Sequence, residues 1–193
     1  MAINYRRKIR KLFLQFGIDI RRVRSGREAT ARLPTLLAHN QIDLVLDVGA
    51  NIGQYGQYLF DTGFTGRVVS FEPLPDAHMQ LEQLAKSQPR WIVSPVGSLG
   101  DKDGTAILNV SKNSESSSLL QHYGRAQLDP LPSAAFEDTI PVTMNRLDTV
   151  APQYMVGHRY PFLKLDVQGF EHRVLVGGVE TIPKLRGLQL ETS

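Results

Sequence analysis

DLVLDVGANIGQYGQYLF, residues 43–60, is the stretch that decides the fold class. An apolar run ends in an acid at Asp47, a turn of sequence GANIG follows at residues 49–53, and a helical pattern comes next. Short apolar runs that end at a turn are typical of strands buried on both faces of a parallel sheet. The stretch therefore predicts a strand, a tight turn and a helix.

The same alternation continues along the chain. We predict strands at residues 42–48, 67–72, 91–96, 162–166 and 188–191, and helices at residues 53–61, 75–87 and 170–182. In the second of these helices we expect Met79, Leu81 and Leu84 to point inward. Two further strands are expected at residues 104–110 and 139–144, separated by a long Ser-rich loop that is typical of a lid or a binding segment. The alternation predicts a doubly wound α/β sheet with right-handed crossovers around one core.

The composition limits the class of protein. The chain has 193 residues, of which 41% are hydrophobic and 21% are charged, as expected for one globular domain. The absence of cysteine excludes disulfides and cysteine-based zinc sites, and the five histidines lack ligand spacing, so we expect no metal. Because no long apolar run or cleavable leader is visible, we expect a cytoplasmic protein.

Positive charge is concentrated in the first 28 residues. They carry nine Lys or Arg against two acids, a charge of +7 that leaves −4 for the rest of the chain. Residues 3–16 predict an amphipathic helix, and a second helix is expected from Ser25 toward residue 40, disturbed by Pro34. We therefore divide the chain into a basic helical extension, 1–40, and a domain, 41–193. The first helix either packs on the domain or makes a peripheral contact with an anionic membrane, whereas the acidic body argues against nucleic acid as a partner.

Two strand ends carry the residues that suggest a ligand site. Open α/β sheets bind their ligands beyond the carboxyl ends of the strands. The first strand ends with Asp47, Gly49 and Gly53, and the second ends with Glu72 and Pro73. Glycines let the backbone of the turn approach a ligand, and a carboxylate after the second strand suits the two hydroxyls of a ribose.

The spacing of the turn glycines separates two classes of cofactor. The pattern is G-x-x-x-G-x-x-G instead of the G-x-G-x-x-G of dinucleotide folds, and Asp47 would repel a pyrophosphate. A carboxylate at this position favours a cationic group, such as the amino group or sulfonium of S-adenosylmethionine. A nicotinamide-dependent oxidoreductase is the less favoured alternative, and a P-loop enzyme is excluded because no G-x-x-x-x-G-K-[ST] is present.

Five ordered motifs resemble the FkbM family of S-adenosylmethionine-dependent methyltransferases: LDVGANIGQYG, VVSFEPLPDAHMQLEQ, SSSLL, VTMNRLDTV and FLKLDVQGFEHRVLVGG. The resemblance covers residues 42–193 and implies a Rossmann-like class I methyltransferase that methylates a hydroxyl of a sugar, glycan or small natural product. It also implies a set of residues that hold S-adenosylmethionine: Asp47, Gly49, Ala50, Asn51, Gly53, Glu72, Pro73, Ser117 and Ser118. The two serines alternatively belong to a plain solvated loop.

The fourth strand supplies the candidates for catalysis. Lys164 and Asp166 point to the same side under strand alternation. Attack on a sulfonium methyl needs an oriented oxygen and removal of its proton, so Asp166 is the candidate base. The alternative is an ordinary salt bridge between Lys164 and Asp166. Glu191 either faces the acceptor or lies near a frayed terminus, and Glu171 is expected to have a structural role at a helix start.

The sequence departs from the family pattern in two places. Gln168 stands where the family more often has Glu, and the chain stops soon after the fifth predicted strand. We therefore expect either a fragment or a naturally short form, whose sheet lacks its C-terminal strands and leaves an edge exposed. The alternative to an active enzyme is a catalytically inactive cofactor-binding or interaction module whose sheet is completed by a partner. The identity of the acceptor and the oligomeric state stay open.

Overall fold

A computed structural model describes residues 26–111 and 136–191 of the chain. The helix expected over residues 3–16 and the pair Ser117 and Ser118 lie outside the described residues. The described elements alternate between helix and strand over most of their length. In chain order they are α1 (Gly26–His39), β1 (Leu44–Val48), α2 (Gln54–Asp61), β2 (Arg67–Phe71), α3 (Pro75–Ala85), β3 (Trp91–Val93), β4 (Ser98–Gly100), β5 (Gly104–Ser111), β6 (Phe136–Arg146), α4 (Leu147–Met155), β7 (Pro161–Leu165), α5 (Glu171–Val176), a 3₁₀ helix (Ile182–Lys184) and β8 (Gly187–Leu190).

The larger sheet has five parallel strands in the order β3-β2-β1-β7-β8. From β1 the chain moves outward through β2 to β3, and it later returns to place β7 and β8 on the other side of β1. This arrangement confirms the predicted doubly wound α/β sheet. The strand order reverses between β1 and β7, which is where sheets of this kind bind their ligands.

The central strand β1 is buried along its whole length, which explains its continuous apolar sequence. Leu44, Leu46 and Val48 pack into an apolar cluster on one face of the sheet, and Val45 packs into a second cluster on the other. Successive side chains of a strand point to opposite faces, so a sheet covered on both sides has two clusters where one core was expected.

A second sheet of three strands, in the order β4-β6-β5, covers one face of the larger one. Its buried residues Leu99, Leu108 and Met144 belong to the same cluster as Leu46. β5 runs antiparallel to β6, and these strands contain the segments predicted at residues 104–110 and 139–144. The expected strands between the two halves of the fold are therefore confirmed.

Three details of the fold differ from the sequence prediction. β4 has three residues, too few for a recognisable pattern, and α4 contains Pro152, which disguised it because proline is unfavourable inside helices. The helix expected over residues 170–182 ends at Val176. A side chain at Gly177 would place its Cβ 1.9 Å from the carbonyl oxygen of Gly100, so the chain turns here against the second sheet.

The predicted inward face of α3 is wrong at one residue. Met79 is 54% exposed, while Leu81 is buried and Leu84 is half-buried. The helix instead buries His78, whose Nε2 lies 2.7 Å from the carbonyl oxygen of Ser94. This hydrogen bond, which apolar periodicity does not reveal, fixes the rotation of the helix and turns Met79 outward.

At one end of the described chain α1 packs on a face of the larger sheet, and at the other end β8 forms an outer strand. α1 contains Pro34, as predicted, and its Leu33 and Leu37 pack into the cluster of Val45. β8 pairs with β7 alone among the described strands. No helix in residues 26–111 or 136–191 is long and apolar enough to cross a bilayer.

Candidate functional site

A cleft of about 640 Å³ opens at the carboxyl ends of β1, β2 and β7, where the strand order reverses. Its volume falls in the usual range of small-molecule sites. Most of the residues predicted from the sequence line it. They are Gly49, Ala50, Asn51, Glu72, Pro73, Lys164, Asp166 and Glu191. Asp47 and Gly53 do not line it, and Ser117 and Ser118 lie outside the described residues.

The glycines of the turn after β1 are needed for packing. Gly49 has a φ of 76°, and a Cβ there would lie 1.9 Å from the backbone oxygen of Asp166. Gly53 precedes α2 with a φ of 99°, and a Cβ on Gly56 would lie 2.3 Å from the ring of Trp91. The three glycines of the G-x-x-x-G-x-x-G pattern therefore lie at three close approaches of the backbone: Gly49 against the turn after β7, Gly53 against α3 and Gly56 against β3.

Glu72 is held in the cleft wall by its neighbours. The N–H of Asn51 donates to Oε2 at 2.8 Å, and the N–H of Leu74 donates to Oε1 at 2.9 Å. Burial raises the pKa of this carboxyl, although the two backbone donors partly offset the effect. Each oxygen keeps a lone pair, so the oriented carboxylate can accept two further hydrogen bonds from a ligand.

Asp47 is fully buried beneath the cleft and not in its wall. The hydroxyl of Ser70 donates to Oδ2 at 3.2 Å, and Nζ of Lys164 lies 3.3 Å from Oδ1. Ser70 in turn accepts a hydrogen bond from the indole N–H of Trp91 at 3.0 Å. Burial raises the pKa of Asp47, with Lys164 opposing the rise. The structure places Lys164 beside this carboxylate. The predicted contact of Asp47 with a cationic ligand stays a prediction.

Lys164 connects the two turns that face each other across the cleft. Its Nζ donates to the carbonyl oxygen of Gly49 at 3.1 Å and lies 3.3 Å from Asp47 Oδ1 and 3.7 Å from Asp166 Oδ2. The contact with Gly49 is a hydrogen bond, and the two carboxylates lie within ion-pair range of the ammonium group. Burial lowers the pKa of Lys164, but Asp47 and Asp166 outweigh it and the pKa ends above its ordinary value. Lys164 is thus a fixed cation and unsuited to act as a base.

Asp166 and Glu191 stand together at the ends of β7 and β8. The side chain of Asp166 is 26% exposed, and Oδ2 faces Lys164. The N–H of Glu191 donates to the carbonyl oxygen of Leu165 at 2.9 Å, which brings its carboxyl to the cleft. Burial raises the pKa of Glu191, and the nearby charge of Asp166 raises it further. Carboxylates therefore line the cleft at two places: Glu72 after β2, and the pair Asp166 and Glu191 after β7 and β8.

A comparison with protein families agrees with this geometry. The family model described as Methyltransferase FkbM domain matches residues 47–191. The match runs from the buried Asp47 to Glu191, the last residue that lines the cleft. The chain belongs to the FkbM methyltransferase family. The fold is accordingly the Rossmann-like methyltransferase fold, and the FkbM domain supports the general activity of a methyltransferase. A comparison with curated proteins found no match.

Gln168 lies in the turn after β7 of this FkbM methyltransferase, and Glu171 begins the helix α5 that follows it. Gln168 has a φ of 50°, and its Nε2 donates to Oδ1 of Asp166 at 2.9 Å. Oε1 of the buried Glu171 accepts the N–H groups of Val167 and Gly169 at 3.2 and 3.0 Å. The Glu171 contacts match its predicted structural role. The amide of Gln168 orients Asp166 by donating a hydrogen bond, which a carboxylate there could not do.

Several lining residues of the FkbM cleft were not predicted from the sequence. Tyr55 and Tyr58 line it from α2, and their spacing of three on a helix that follows the glycine turn was a usable signal. Leu99 and Leu108 line it from the second sheet, and nothing local in the sequence places that sheet over the cleft. Among the described residues, no group of three or more His, Asp or Glu side chains could hold a metal ion.

Proposed function

We propose that this FkbM protein is an S-adenosylmethionine-dependent O-methyltransferase that acts on a hydroxyl of a sugar, glycan or small natural product. The observation that carries the proposal is Glu72, whose two oxygens are oriented by the N–H groups of Asn51 and Leu74 at the edge of the cleft. A carboxylate aligned in this way after β2 is suited to the two hydroxyls of a ribose.

The remaining wall fits the other parts of the cofactor. Oδ1 of Asn51 is buried and has no hydrogen-bond partner among the described residues, so it is available to an amino group. Leu74 and Leu99 offer apolar surface for a base. The cofactor would supply an electrophilic methyl group on a sulfonium. Lys164 offsets the charge of Asp47, and the wall carboxylates Glu72, Asp166 and Glu191 leave the cleft with an excess of negative charge that favours this cation.

Asp166 is the proposed base for the acceptor. Its carboxylate is partly exposed in the cleft; Gln168 donates a hydrogen bond to Oδ1, and the charge of Lys164 lies 3.7 Å from Oδ2. An acceptor hydroxyl that donates to Asp166 would be oriented by that bond and would lose its proton to the carboxylate as its oxygen is methylated. Glu191 lies beside Asp166, where it can accept a second hydrogen bond or take up the proton. Because Lys164 is a fixed cation, we assign it no proton transfer.

Isothermal titration with S-adenosylhomocysteine tests the cofactor. We expect binding by the wild type, at least a 10-fold loss in Glu72→Gln, and no loss in Glu82→Gln, which changes an exposed carboxylate on α3. The Gln amide would point its NH₂ group at one of the two backbone donors and lose the oriented pair of acceptors. A folded wild type that binds NADH and not S-adenosylhomocysteine would contradict the proposal in favour of an oxidoreductase.

Methyl transfer needs a separate measurement. S-adenosylhomocysteine release is measured with a panel of sugars, glycans and hydroxylated natural products, with wild type and Asp166→Asn compared on each. We expect release with at least one acceptor and its loss in the variant. Cofactor binding without transfer to any member would favour the catalytically inactive binding module.

A further inference from the structure

A row of cations lies at the amino-terminal ends of the strands of the larger sheet, at the end opposite the cleft. Arg90 precedes β3, Arg67 begins β2, Arg159 lies two residues before β7, and Arg186 precedes β8. Lys184 lies in the 3₁₀ helix that leads into β8. Because the five strands are parallel and in register, their amino ends meet at one edge. We call Arg67, Arg90, Arg159, Lys184 and Arg186 the basic edge.

The basic edge is available to a partner. All five side chains are exposed, and within residues 26–111 and 136–191 none of them has a carboxylate in salt-bridge range. Two acids lie at the same end of the strands. Asp43 is engaged by the backbone N–H groups of Arg159 and Tyr160 at 2.8 and 3.0 Å, with His158 at 3.7 Å, and Asp61, the last residue of α2, accepts a hydrogen bond from Gln57. Within the described ranges, neither acid pairs directly with a cation of the edge.

Aromatic rings hold three of these arginines in place. The guanidinium groups of Arg159 and Arg186 both lie over the ring of Tyr160, at 5.9 and 5.8 Å from its centroid. The guanidinium of Arg90 lies 5.5 Å from the ring centroid of Phe60. Stacking of this kind restrains long side chains before a partner arrives, which lowers the entropy lost on binding.

The basic edge is not a result of general positive charge. The described ranges contain 12 Lys or Arg and 16 Asp or Glu, so the described body has an excess of acid. The cleft at the other end of the strands carries Glu72, Asp166 and Glu191. The described part of the chain is thus electrically polar along the strand direction, and its basic end fits an anionic partner.

Apolar surface lies beside the charges. Val156 is 78% exposed, and together with Pro152 and Met155 it lines a shallow depression that also includes Arg159 and Lys184. A nucleic-acid backbone would match the charges and leave Val156 in water. The surface of an anionic bilayer matches both, because phosphates lie above an apolar boundary in which a small side chain can be buried.

We propose that the basic edge docks this protein on the surface of an anionic membrane. The surface is formed by the described domain and is distinct from the basic segment at residues 1–28. Five residues of parallel strand separate the two edges of the sheet by about 17 Å. Docking through the basic edge turns the cleft toward the aqueous side, so an acceptor reaches it from solution.

Vesicle co-sedimentation of the full chain tests the proposal. Phosphatidylcholine vesicles are compared with vesicles that contain phosphatidylglycerol at about one third, for the wild type, Arg159→Gln/Arg186→Gln and the control Arg32→Gln/Lys102→Gln. Basic residues near such a surface contribute about 1 kcal/mol each, so the edge variant should partition about 30-fold less onto anionic vesicles. The control removes the same amount of positive charge from positions outside the basic edge. Its partitioning onto anionic vesicles should stay within about 3-fold of the wild-type value.

Three results would overturn the proposal. Equal losses in both variants would mean that net charge alone matters. An unchanged edge variant would mean that the segment at residues 1–28 binds by itself. Tighter binding to a single-stranded RNA than to anionic vesicles, lost in the edge variant, would identify a polyanion as the partner. Circular dichroism melts of all three proteins check that the substitutions leave the fold intact.

Discussion

Lys164 shows how one side chain organises the two turns of the cleft. It compensates the fully buried charge of Asp47 and at the same time binds the carbonyl of Gly49 and faces Asp166. The alternation of side chains along β1 places Asp47 on the same face as Val45, so the burial of Asp47 could be predicted from the sequence. Its pairing with Lys164 could not be predicted, because the position of β7 beside β1 depends on the strand order of the whole sheet.

Lys164→Met should destabilise the protein by about 3–5 kcal/mol, because the buried Asp47 would lose its counter-charge. Urea denaturation measures the loss. Lys164→Met/Asp47→Leu removes both charges and should recover most of it, since an apolar pair of similar size avoids the cost of an unpaired charge. A double variant as unstable as the single one would show that Lys164 stabilises the fold through its other contacts.

Gly49→Ala should cost at least about 3 kcal/mol and abolish cofactor binding. The left-handed backbone alone costs about 1–2 kcal/mol for a residue with a side chain. The remainder comes from the Cβ, which would lie 1.9 Å from the Asp166 backbone oxygen and push the two turns apart. Gly63→Ala is the matched control, because Gly63 has a φ of 89° and open space around its Cβ position. Thermal unfolding and titration with S-adenosylhomocysteine should show a large effect for the first variant and the backbone cost alone for the second.

The affinity for S-adenosylhomocysteine should fall at mildly acidic pH. The ionised form of Glu72 accepts hydrogen bonds from a ribose, and burial raises its pKa above the usual glutamate value of about 4.3. Binding is therefore full above the raised pKa and is lost as the pH falls through it. Titrations between pH 5 and 8 check the slope, which should disappear in Glu72→Gln. A pH dependence retained by that variant would assign it to another group.

At the scale of elements, predictability followed the length and apolar pattern of each segment and not burial alone, since β4 is buried but has only three residues. β1, β2 and β7 were found because each is short, apolar and buried in the middle of a sheet, so that its sequence alone marks it. β4 and α4 were missed, since their places depend on contacts with distant elements and not on their own periodicity. The wall of the cleft that comes from the second sheet was unpredictable for the same reason.

The packing of α2 on β3 gives a test at this scale. Gly56→Ala gains up to about 1 kcal/mol of helix propensity, yet its Cβ would lie 2.3 Å from Trp91, and overpacking of this kind costs about 1–3 kcal/mol. We expect net destabilisation and a changed emission of Trp91, the single tryptophan of the chain. Gln57→Ala, at the next position of the same helix, creates no clash; because glutamine is already a good helix former and its Nε2 donates to Asp61 Oδ1 at 2.7 Å, we expect little change in stability. Stabilisation by Gly56→Ala would show that α2 moves away from β3 at little cost.

For the whole molecule, the cleft lies between the two halves of the doubly wound sheet, so a ligand contacts residues from both. Occupancy by S-adenosylhomocysteine at about 100 times its dissociation constant should add about 2.7 kcal/mol to the stability. For a chain of this size that corresponds to a rise of roughly 5–10 °C in the melting temperature. Differential scanning fluorimetry measures it, and Glu72→Gln at the same ligand concentration should show little of the rise.

The pairing of β1 with β7 also determines when the cleft can exist during folding. Lys164 and Gly49 are 115 residues apart in the chain, and closing so long a loop costs entropy before the contact repays it. Until β7 docks, the amino-terminal half of the sheet holds Asp47 without a counter-charge and has no second turn to face Gly49. Ligand binding therefore reports the pairing of β1 with β7, and in a refolding reaction it should appear no earlier than that pairing.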